Sequence, residues 1–181
     1  MVLLILGVAL WWGAHLYKRM VANPLPDSRR KGVVALALIV SVVLMTIGYQ
    51  RADVTMWWAA GPALKGINNL LVLVAFFLFA SSGMKNRIGT QMRHPQLTGF
   101  ALWAFAHLLT NGDLPSFVLF GGLLLWALVE MAVINRAQPN WTPPPYATSM
   151  RKEAMAAIGA VVAYLVVGLI HGWIGPNPFG A

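Results

Sequence analysis

Apolar residues in this chain do not alternate with polar ones; they come in runs. Six runs stand out, at Val2–Tyr17, Gly32–Tyr49, Ile67–Gly83, Pro95–Thr110, Ser116–Asn135 and Ala154–Trp173. Each is 16 to 20 residues long and is bounded by short polar segments. A run of that length without alternation marks a helix that is apolar on every side and surrounded by lipid. The pattern predicts an all-α fold, a polytopic membrane helical bundle of about six transmembrane helices, as a single domain over 1–181. The shorter runs span about 24–27 Å at 1.5 Å per residue, so their flanks must snorkel or the bilayer must thin.

The breaks between the runs have their own chemistry. Lys18 and Arg19 end the first run, and Arg29, Arg30, Lys31 and Arg51 bracket the second. Pro95 suits a first helical turn, where a missing N–H costs nothing. Asn111-Gly112-Asp113 is a turn signal. Met56-Trp57-Trp58 with Gly61-Pro62 reads as an interfacial or re-entrant piece, with Trp at the headgroup level. Pro139 to Pro145 reads as an extended linker, and Gly175–Ala181 as an irregular tail. No internal repeat stands out on this reading.

Composition sharpens the picture. Hydrophobic residues make up 59% of the chain and charged ones 10%, whereas a soluble domain carries about a quarter charged. The net charge of +8 does not imply nucleic acid, because the basic residues lie in the breaks. Eleven of the 13 Lys and Arg fall in the breaks after runs one, three and five; Arg51 and Lys65 fall in the others. The positive-inside rule then predicts that both termini are non-cytoplasmic. The first run lacks a basic n-region and a small-residue cleavage site, so it reads as a retained span. Absence of cysteine excludes disulfides, thiolate metal sites and cysteine nucleophiles.

The candidate chemistry is histidine. His15 lies near the inner end of the first run, and His94 at the inner mouth of the fourth. His107 lies deep in the fourth run, and His171 near the outer end of the sixth. A single histidine at membrane depth is more often an interhelical hydrogen bond than a ligand. Four in so short a chain point toward a cofactor, and imidazole is the usual axial ligand of haem b between facing helices. Ala104 and Gly168, each a turn before a histidine, leave room for a flat ring but serve bare helix packing equally well. Trp11, Trp12, Phe100 and Trp103 could line such a ring or simply pack. Depth alone pairs His15 with His94 and His107 with His171. Glu130, the one acidic residue inside a run, is expected to form a structural ion pair with Arg93 or His94 at the inner mouth.

Arg93-His94-Pro95-Gln96, Gly99, Trp103 and Ala106-His107-Leu108, with Gly13-Ala14-His15 and His171, resemble the NnrU family of membrane proteins over almost the whole chain. The resemblance implies a bacterial cytoplasmic (inner) membrane and a link to nitrite and nitric oxide reduction, that is, denitrification. It extends to the plant zeta-carotene isomerase, a haem b enzyme, and by motif implies His15 and His107 as the haem iron ligands; His94 and His171 are the alternatives that depth offers. Lys18, Arg19, Arg93 and Glu130 are then the propionate and charge partners. The isomerase's alternative cysteine ligand is Ala104 here, so a ligand switch is impossible. Residues 93–99 also look like the RHPxYxG signature of membrane methyltransferases that use S-adenosylmethionine, with Leu97 in place of the tyrosine. The expected function is a haem b protein acting in redox or electron transfer; the alternative is a non-catalytic assembly or stabilising partner of a nitrogen-oxide reductase.

Overall fold

The structure, a computed structural model, describes residues 1–20 and 27–179. The side chains of Lys18, Met20 and Asp27 fall outside the described residues, so the proposed role of Lys18 does too. Six long helices match the six apolar runs: α1 Val2–Met20, α2 Asp27–Gln50, α3 Pro62–Met84, α5 Pro95–Thr110, α6 Leu114–Ala137 and α7 Met150–Ile174. A five-residue helix, α4 Arg87–Gln91, lies between α3 and α5. Pro62 and Pro95 sit in first turns, where proline's fixed φ helps and its missing donor is not needed. Segments α2, α3, α6 and α7 are long and apolar enough to cross a membrane; the apolar stretch Val2–Tyr17 is shorter, and α5 has 16 residues.

The piece with the two adjacent tryptophans is a strand rather than a re-entrant loop. β1 Met56–Ala59 pairs antiparallel with β2 Asn111–Asp113, joining the end of α2 to the turn between α5 and α6. The indole ring of Trp58 lies over Gly112, where a Cβ would fall 2.3 Å from the ring. Only a residue without a side chain fits under it.

The helices pack in the order α2–α1–α6–α5–α3–α7. Contacts fix their relative directions. Trp12 donates its indole N–H to the Gly122 carbonyl (3.0 Å), and Arg19 meets Glu130, so α1 and α6 run parallel. His107 stacks on Phe120, and His94 meets Asn135, so α5 and α6 run antiparallel. Glycine allows the closest crossings. A Cβ on Gly48 would lie 2.3 Å from the Leu4 backbone nitrogen. The outer rows of α2 and α7, such as Leu36, Ile39, Ile158, Val162, Leu165 and Leu169, are exposed, as lipid-facing residues are. The core is small and lies where α1, α5 and α6 meet, around Trp126, Ala127 and Ala101.

Candidate functional site

Histidines 15 and 107 are built into their helices in the same way. In α1 the His15 ring lies 4.5 Å from the Trp11 ring, and its Nδ1 is 3.0 Å from the Trp11 carbonyl oxygen. In α5 the His107 ring lies 5.0 Å from Trp103, and its Nδ1 is 2.9 Å from the Trp103 carbonyl. A carbonyl oxygen cannot donate, so each Nδ1 carries the proton, and in the neutral form of either ring the lone pair is on Nε2. Metal-ligating histidines commonly have this arrangement, with one ring nitrogen tied to a carbonyl that sets the tautomer and orientation.

Helix α6 supplies the facing wall for both. Trp126 lies 4.5 Å from His15, and Phe120 lies 4.6 Å from His107 in a stacked arrangement. Phe120 belongs to a π-helical turn, Phe117–Gly121, within α6. The extra residue per turn rotates the two ends of α6 relative to each other, a device often found at functional sites. Between the histidines lies a continuous layer of rings. Trp11 stacks on Phe100 at 5.9 Å and 14°, Phe100 contacts Trp103 at 5.3 Å, and Trp126 meets Phe100 at 5.1 Å.

The layer separates the two imidazoles. His15 is four residues beyond Trp11 on α1, and His107 is seven beyond Phe100 on the antiparallel α5, which places the rings about 16 Å apart along the axis at 1.5 Å per residue. Six residues of α6 separate Trp126 from Phe120, which gives a lower figure of about 9 Å. Two imidazoles on one metal ion need nitrogens about 4 Å apart, two bonds of about 2 Å each. Each imidazole alone fits an iron ligand; both on a single iron do not fit this packing. The shared ligation that the family resemblance implies would require α1 and α5 to slide, or the rings between them to move.

His94 and His171 have other duties. His94, at the head of α5, has Nε2 2.8 Å from the Asn135 Oδ1 on α6. His171 donates from Nδ1 to the Pro176 carbonyl (2.7 Å), tying the tail after α7 back to the helix. Both are polar tethers, the bland reading open to any membrane histidine. Neither pairing suggested by depth is a hydrogen bond or ring contact among the described residues, although His171 lies near enough to His107 to act on it electrostatically.

Among the described residues, no hydrogen bond or ion pair joins Glu130 to Arg93 or His94, the partners expected for it. Its Oε1 accepts from the Nε of Arg19 at 3.0 Å, from the far end of α1. Arg93 instead donates to the carbonyls of Ile134 (3.4 Å) and Gln138 (2.5 Å) and lies over the Trp141 ring. The reason is helix phase. Gly122, Trp126 and Glu130 are four apart on α6, and the face they share meets Trp12, His15 and Arg19 of α1 rung by rung. Arg93 lies at the loop end of α5, beside the C-terminal end of α6, whose last carbonyls and negative dipole end attract a cation. Both guanidiniums proposed as propionate partners are therefore already engaged.

Comparison with known proteins adds one finding: the family model described as NnrU protein matches residues 3–178. No curated protein matches, and no solved structure does.

Proposed function

We propose that this chain, which belongs to the NnrU family, is an integral membrane haem b protein that serves nitrite and nitric oxide reduction by redox or electron transfer. The link to nitrogen-oxide reduction comes from the family resemblance. The observation that carries the haem reading is the matched pair of Nδ1-tethered imidazoles, His15 and His107, at the two ends of a layer of Trp and Phe rings. A haem bound there would supply a one-electron couple, and the apolar rings would keep water from it. The chain's own contribution is the fixed tautomer, the Nε2 lone pair and the aromatic wall.

All six helices span the membrane in this reading, with both termini on the non-cytoplasmic side. The parallel run of α1 and α6 and the antiparallel run of α5 agree with the alternation this requires. A reporter fused after Ala181 that is active only in the cytoplasm overturns the orientation.

The absorption spectrum of the purified protein, made with haem available, tests the cofactor. With one protein imidazole per iron, the ferric spectrum is expected to be high-spin, and His15→Ala or His107→Ala should alter it while His94→Ala does not. A low-spin spectrum lost with either substitution would mean that α1 and α5 slide to share one iron. A protein without a Soret band would refute the haem reading. Copurification with a reductase would then favour the non-catalytic assembly partner.

A further inference from the structure

The two histidine segments are copies of each other. Gly7-Val8-Ala9-Leu10-Trp11-Trp12-Gly13-Ala14-His15 and Gly99-Phe100-Ala101-Leu102-Trp103-Ala104-Phe105-Ala106-His107 are identical at six of nine positions. The identities fall at the structural pivots. Gly7 faces α2, where a Cβ would lie 2.7 Å from the Met45 backbone nitrogen; Gly99 faces α3, where one would lie 2.8 Å from the Ala75 carbonyl. Ala14 and Ala106 are both buried, and Trp11 and Trp103 each hold the histidine four residues on. Since α1 runs parallel to α6 and α5 antiparallel to it, the two copies point in opposite directions.

We infer that the chain carries one imidazole-presenting module twice in inverted orientation, with Trp11 and Trp103 as the positioning residues that give it two equivalent histidine sites, one at each end of the shared aromatic layer. The module does not rest on the haem reading above. The physical logic is the same in each copy. Glycine brings the helix close to a neighbour, α2 in one case and α3 in the other. The tryptophan ring limits the imidazole's rotation, so that Nδ1–H stays on the carbonyl one turn back. Helix α6 breaks the symmetry by offering Trp126 to one site and Phe120 to the other. The copies also differ between the tryptophan and the alanine, where Trp12-Gly13 answers to Ala104-Phe105.

The test uses the haem-free full-length protein with ¹⁵N-labelled histidine in detergent, where nitrogen shifts report the tautomer of each ring. Signals are assigned by single histidine substitutions. Both His15 and His107 should show the Nδ1–H form. Trp103→Ala should convert His107 to a tautomer mixture without moving His15 or His171, and Trp11→Ala should do the converse. Trp103→Phe and Trp11→Phe, which keep a ring, should restore the wild-type signals. Different tautomers at the two sites in the unsubstituted protein, which needs no variant to fold, would overturn the inference. So would alanine variants that fold and leave both rings unchanged. A positive result in a protein that never takes up haem would leave the module standing and remove the haem reading.

Discussion

Two buried carboxylates lie along α6, one just before its first turn and one well inside it, and they are satisfied in opposite ways. Asp113, 5% exposed, precedes the first turn of α6. Its Oδ1 accepts from the Ser116 backbone N–H and its Oδ2 from the Ser116 hydroxyl, both at 2.8 Å. Every donor comes from three residues along the chain, and the helix N-terminus adds its own positive end. Glu130, 2% exposed, is in mid-helix with no such local help. Its one partner among the described residues, Arg19, is 111 residues away in sequence, and none of them bonds its buried Oε2. A carboxylate held by its own helix end depends on little else in the fold. One held across the bundle depends on α1 and α6 staying in register.

The sharpest way to break this contrast is to remove Arg19. Arg19→Ala strands a buried charge, which costs about 3–5 kcal/mol when both partners are enclosed. The Arg19 side chain is 38% exposed, so screening reduces the effect to roughly 2–3 kcal/mol. At about 2–4 °C per kcal/mol for a chain of this size, the melting temperature in detergent should fall by several degrees. The double variant Arg19→Met with Glu130→Leu should recover most of the loss, because apolar replacements of a buried pair are often neutral. An Arg19→Ala protein that melts with the wild type would show that the pair carries no weight and that the two carboxylates are not different in kind.

The same contrast explains what the sequence could tell. Asp113 was legible as part of a turn because its partners are its neighbours. The six helices were legible because lipid-facing runs are a property of consecutive residues. The Arg19–Glu130 pair was not, since it depends on the relative rotation of two helices, and the basic loop nearest in the apolar map pointed to Arg93 and His94 instead. The strand Met56–Ala59 was hidden because four consecutive exposed residues give no alternation. Among the candidate residues, His15 and His107 stood out in the sequence by their depth and motifs. The facing Phe120 and Trp126 were not, because a π turn inside an unbroken apolar run leaves no compositional mark. The repeated nonapeptide was open to inspection all along; it escapes notice because its two copies are 92 positions apart in helices of opposite direction.

The smallest expected effect probes the Asp113 end. Tyr49, on α2, has its hydroxyl 2.8 Å from the Ser116 Oγ. The direction of that bond follows from its neighbour. Ser116 spends its one proton on Asp113, whose carboxylate can only accept, so Tyr49 donates and Ser116 accepts. Tyr49→Phe removes a donor and leaves no buried donor stranded, because the Ser116 hydroxyl still has its carboxylate. The loss is then that of one ordinary hydrogen bond, about 0.5–1.5 kcal/mol, and the ring can keep its edge contact with Phe120 at 6.3 Å. The melting temperature should fall by about 1–4 °C, less than for Arg19→Ala. A fall as large as that of Arg19→Ala would mean that Asp113 also relies on a distant helix, and the contrast between the two carboxylates would fail at the end where it looks safest.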